Sequence, residues 1–142
     1  MNPVLILFLQ SPKPVTPHLK KKTGTSQAMT RGQMEAEISN ALISFEKEHM
    51  GRGPVEAKTH IIEDIVLIRL KGVLTPAEIH LAKDDEGIQL IKQVRAKLLE
   101  QFRGILEDMV KDITGYPTMS FHSDISTKTG ERFIIITLSG KL

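Results

Sequence analysis

Val55–Glu78 reads VEAKTHIIEDIVLIRLKGVLTPAE, and its pattern changes period twice. Val55, Ala57, Thr59 and Ile61 alternate with Glu56, Lys58 and His60, which predicts a half-buried strand. Glu63-Asp64 is a candidate tight turn, and Ile65–Leu70 is a second strand, apolar enough to be central. The two make a hairpin. Gly72 breaks the strand, Thr75 stands as a helix N-cap and Pro76 takes the first helical position. Glu78 falls three residues after Thr75 and completes a capping box. Helix initiation therefore accounts for LTPAE without any catalytic role.

Downstream, the run KDDEG (Lys83–Gly87) is expected to end a short helix, with a longer one over Ile88–Thr114. Ile91, Val94, Leu98, Phe102, Ile105, Met109 and Ile113 follow steps of three and four, and Gly115 occupies the stop position. At about 1.5 Å per residue this helix is roughly 40 Å long, enough to lie diagonally across a sheet or to reach a second subunit. Gly104 inside it costs about 1 kcal/mol against alanine, which points to a close backbone contact there. Met119, Phe121 and Ser123 then alternate with Ser120 and His122, STKTGE (Ser126–Glu131) makes a turn, and Arg132–Leu138 is a strongly apolar last strand.

Upstream, Met34, Ile38, Leu42 and Phe45 mark the apolar face of a helix that starts at Arg31. Glu35, Glu37, Glu46, Lys47 and Glu48 are assigned to its polar face. MGRGP ends it, with Gly51 and Gly53 both candidates for positive φ. The order α-β-β-α-α-β-β predicts an α+β domain: a four-stranded, largely antiparallel sheet of two β-hairpins, covered on one face by helices.

The 142 residues suit one domain over 29–142. Residues 1–28 carry Lys13, Lys20, Lys21 and Lys22 and no acid, so the overall +2 charge leaves the body at −2. The tail is expected to be a disordered Pro/Lys-rich extension, its rival role a weak grip on an anionic membrane surface. Its apolar run Val4–Leu9 is too short to cross a membrane, which takes about twenty residues. With no cysteine, disulfides, thiolate metal sites and a cysteine nucleophile are excluded. The mildly acidic body and 4% aromatic content argue against nucleic-acid binding.

No chemical motif stands out. His18, His49, His60, His80 and His122 fall in no metal-ligand spacing, although His60 and His122, mid-strand in different hairpins, could meet across a sheet. Asp84–Glu86 lacks the ligand ladder of a calcium loop and reads as a solvated acidic run. No GxSxG elbow is present. The GRGP turn leaves Arg52 unexplained. A candidate anion site there comprises Arg52, Gly53, Thr75 and Arg95. No catalytic residue, metal or cofactor is expected.

GRGP (51–54), VLIRLKGVLTPAEIHLAK (66–83), GIQLIKQVR (87–95) and ITGYPTMSFHSDIS (113–126) together resemble the MpsC-like family of small bacterial proteins, long known as a domain of unknown function. The likeness runs from about Met29 to Leu138 and leaves out the tail. The resemblance implies a link with a sodium-translocating, membrane-potential-generating system that takes up inorganic carbon. It also implies a soluble component of that system, and it carries no catalytic residues. The expectation is a non-catalytic cytoplasmic accessory protein, peripheral at the inner membrane surface and dimeric, bound to a membrane transport subunit. The alternative is a small-anion sensor with its site near GRGP.

Overall fold

The computed structural model describes residues 29–142; the extension expected over 1–28 lies outside the described residues. Arg31–Leu142 forms one compact unit. Its elements are α1 (Arg31–His49), β1 (Glu56–Ile62), β2 (Ile65–Lys71), α2 (Pro76–Leu81), α3 (Asp85–Thr114), β3 (Thr118–Ser126) and β4 (Glu131–Leu138). The sheet order is β1-β2-β4-β3, and every neighbouring pair is antiparallel. The two hairpins thus lie side by side, joined through β2 and β4, in the expected α+β fold.

The first hairpin closes as its sequence predicts. Ile62 pairs with Ile65, and Glu63 in the turn takes φ 56. The chain end secures this corner. Leu138 N–H donates to the Asp64 carbonyl and Leu142 N–H to that of Glu63. Gly72 then leaves β2 at φ 69, and a Cβ there would lie 2.5 Å from a Val55 methyl. Of the two GRGP glycines, Gly51 takes positive φ and Gly53 does not.

Alternation along the strands sorts side chains between two faces. Ile61, Val66, Ile68, Leu70, Ile134, Ile136 and Leu138 are buried beneath the helices. Met34, Ile38, Leu42 and Phe45 of α1 and Ile91, Leu99, Leu106 and Val110 of α3 meet them. Helix α1 also shields the edge strand β1. Glu35 accepts the Ile61 N–H at 2.8 Å, and the Ser39 and Thr59 hydroxyls meet at 2.8 Å.

Four further expectations change. Asp84 does not end a helix: it caps the next one, accepting the Gly87 N–H at 2.7 Å, so α3 starts at Asp85 with acids where the helix dipole favours them. The buried line of α3 runs one position round from the expected stripe, through Ile91, Arg95, Leu99, Leu106, Val110 and Thr114, while Val94 is 55% exposed. A Cβ on Gly104 would meet nothing within 4 Å; the close helix approach is at Gly87, where a Cβ would fall 1.7 Å from the Leu81 carbonyl. Glu46, assigned to the polar face, is fully buried.

Candidate functional site

Four charged side chains from four elements converge under the sheet: Glu46 from α1, Glu78 from α2, Arg95 from α3 and Arg132 from β4. The capping box begins the assembly. Glu78 N–H donates to the Thr75 hydroxyl at 3.2 Å, and Thr75 N–H donates to Glu78 Oε1 at 2.8 Å. That fixes the carboxylate, which then accepts Arg95 Nη2 at 2.7 Å and Nε at 2.9 Å. Arg95 Nη2 also donates to the Val73 carbonyl at 2.9 Å. Two-point contact of this kind suits a planar guanidinium and would be lost with lysine.

Behind Arg95 the fit loosens. Glu46 lies 3.8 Å from Arg95 Nη1 and 3.9 Å from Arg132 Nη1, too far for hydrogen bonds. Both Glu46 oxygens, Arg95 Nη1, and Nε and Nη1 of Arg132 are buried without a hydrogen-bond partner. Burial pushes the Glu46 pKa up despite the opposing pull of Arg132 and Arg95. Burial likewise pushes Arg132 down, only partly offset by Glu46. Glu78 goes the other way. Burial would raise it, but the hydrogen bonds from Arg95 and from the Thr75 amide outweigh that and hold it below the usual carboxylate range.

Arg95 and Arg132 also form the floor of a cavity of about 180 Å³ between α3 and the β3–β4 hairpin. Lys92, Ala96, Arg103, Phe121 and Ser123 line its walls. Arg103 is held by Glu107 at 2.9 Å and lies over the Phe121 ring, its carbon 5.0 Å from the ring centre. Lys92 sits 3.6 Å from Asp124.

The expected anion residues are occupied as follows. Arg52 Nη1 donates to the Leu74 carbonyl at 3.3 Å, one residue from the carbonyl held by Arg95, so both arginines grip the loop before Thr75. Thr75 spends its hydroxyl and amide on the cap. Gly53 packs near Ile43. Glu46 and Arg132 were missed as site residues. His60 and His122 share one row of the sheet but are separated by Leu67 and Ile135, roughly 14 Å at ~4.8 Å per strand, and share no ligand. Among the described residues no group of three metal-ligating side chains converges.

The second surface of interest is the sheet face opposite the helices. Register places Ile62 beside Ile65, and Leu67 beside Ile135, with Phe133 on the same face. Ile62 is 53% exposed, Ile65 36% and Ile135 37%. Among the described residues no element covers this apolar patch. Its charged end is self-paired, Arg69 to Glu131 at 2.6 Å and Lys71 to Glu56 at 3.9 Å.

Fold and site together define a small two-layer α+β domain with a buried charge network and an apolar sheet face that no described element covers. The chain belongs to the MpsC family, described as "Na+-translocating membrane potential-generating system (MpsC)", whose model matches residues 30–140. It is 42% identical over 113 residues, 80% of this chain and 91% of the relative, to a Bacillus subtilis protein called "Uncharacterized protein YbcI". Weaker likenesses join 48% of the chain to 4% of a Drosophila melanogaster "Protein 4.1 homolog", at 32% identity, and 47% of it to 6% of a human "Band 4.1-like protein 3", at 33%. No solved structure matches.

Proposed function

We propose that this chain is a non-catalytic accessory or regulatory component of a sodium-translocating, membrane-potential-generating system. It acts by protein–protein contact with a membrane subunit that moves ions or bicarbonate. The sheet face of Ile62, Ile65, Leu67, Phe133 and Ile135, which no described element covers, is the observation that supports this most. An exposed apolar patch flanked by paired charges is what a docking surface requires. Among the described residues no helix is long and apolar enough to cross a membrane, so contact with a transport system runs through such a surface. In this reading the protein works in the cytoplasm, at the inner face of the membrane. It self-associates along Leu90 and Val94, one turn apart on α3 and 45% and 55% exposed.

The test is retention of solubilised membrane proteins of the source bacterium by the tagged full chain. The expected result is recovery of an ion- or bicarbonate-transport subunit, competed by untagged protein. The variant Ile65→Lys/Ile135→Lys loses it with its fold intact. Retention that survives the double substitution refutes the docking face, and retention of nothing refutes a stable complex.

A further inference from the structure

We propose that the cavity between α3 and the β3–β4 hairpin is a binding site for a compact oxyanion. Its lining carries four cations, Lys92, Arg95, Arg103 and Arg132, and two acids, Glu100 and Asp124. Both acids stand at the rim, their side chains 73% and 83% exposed. The floor is different. Arg95 and Arg132 are each only 2% exposed. Arg132 Nε is buried without a hydrogen-bond partner, whereas the unpaired Nη1 atoms of both arginines face Glu46.

Buried polar groups left unpaired are costly, and a buried guanidinium more so. The built-in carboxylate does not settle the account. Glu78 is committed to Arg95, and Glu46, the acid nearest Arg132, stands outside hydrogen-bond range of it. Burial pushes Arg132 down and Glu46 up, as happens when neither charge is fully compensated. An anion on the cavity side of Arg132 supplies the acceptor oxygens that the guanidinium lacks. The Ser123 hydroxyl and the Arg103 and Lys92 heads line the same space.

Size restricts the ligand. About 180 Å³ lies below the roughly 300–1,000 Å³ of sites for drug-sized molecules. It suits an inorganic oxyanion or the phosphate of one lipid headgroup. These share one recognition chemistry and differ in source.

The test uses the full chain. Arginine Nε–H resonances and the melting temperature are followed against inorganic phosphate at constant ionic strength, and sedimentation is followed with phosphatidylglycerol vesicles. The expected result is a saturable shift of the Arg132 Nε–H signal and a rise in melting temperature. Ala96→Glu puts a carboxylate in the cavity wall from an exposed helix position, touches none of the buried network, and abolishes both responses. Ser123→Asp repeats the test from the opposite wall. A phosphate response assigns the site to a free ion. A response to vesicles alone, also lost in Ala96→Glu, assigns it to a headgroup. No response to either probe, or responses unchanged in both variants, overturns the proposal.

Discussion

The guanidinium of Arg95 meets the carboxylate of Glu78 edge to edge, Nε to Oε2 at 2.9 Å and Nη2 to Oε1 at 2.7 Å. The same carboxylate closes the capping box of α2. A helix-start signal and a buried ion pair are thus one device, which ties the β2–α2 corner to the middle of α3.

The two roles separate by mutation. Thr75→Ala removes the cap and should cost about 1 kcal/mol. Glu78→Ala removes the cap's reciprocal bond and also leaves a buried arginine without its main partner, for about 3 kcal/mol. Urea denaturation of the two variants measures the difference; equal losses would mean that the ion pair contributes nothing.

The looser half of the network behaves differently. Arg132→Leu alone leaves the buried Glu46 carboxylate with only Arg95, 3.8 Å away and already bonded to Glu78, and should destabilise by about 3 kcal/mol. Glu46→Leu/Arg132→Leu replaces both charges with apolar groups and should recover most of that loss, because Arg95 keeps Glu78 and the Val73 carbonyl. A double-mutant cycle reads the coupling directly.

Two glycines of α3 should respond with opposite signs. Gly87→Ala drives a Cβ into the Leu81 carbonyl and should separate α2 from α3 or prevent folding. Gly104→Ala meets nothing and should stabilise by about 1 kcal/mol through helix propensity. Melting temperatures of the pair check it.

Stability should fall as pH drops below about 6.5, through His49. Its ring stacks on Phe102 with centres 4.6 Å apart, and burial holds its pKa below the ordinary 6.5 against the opposing pull of Glu48. The folded ring stays neutral while the unfolded one takes a proton, so the contribution present above pH 6.5 is lost toward the lower folded pKa. Glu78, also depressed, continues the loss as pH falls below its ordinary 4.5, whereas the raised Glu46 contributes in the opposite direction, stabilising toward low pH. His49→Phe keeps an aromatic ring against Phe102 and should flatten the slope between neutral pH and pH 5.5.

The strands and turns were legible because period-two alternation, Gly72 and the LTPAE signature are local signals. The buried line of α3 was not. It passes through Arg95 and Thr114, and their polarity hid it behind the neighbouring row of Val94, Leu98 and Phe102. Glu46 was hidden for the same reason. A carboxylate reads as a surface residue until Arg95 and Arg132, far along the chain, are seen beside it. Arg95 was singled out as an anion ligand, and the structure gives it two carboxylates from its own chain, one bonded and one just out of reach.

The most direct test of the accessory role is photo-crosslinking in the source bacterium, with a photoreactive phenylalanine analogue at Ile135 and, as a control, at the exposed Gln93 of α3. The account predicts an adduct with a membrane subunit of an ion-translocating system from position 135, and no adduct with that subunit from position 93, where only a second copy of this chain is within reach. No adduct at position 135, the same adduct from both positions, or only a pair of copies of this chain joined through the sheet face would contradict it.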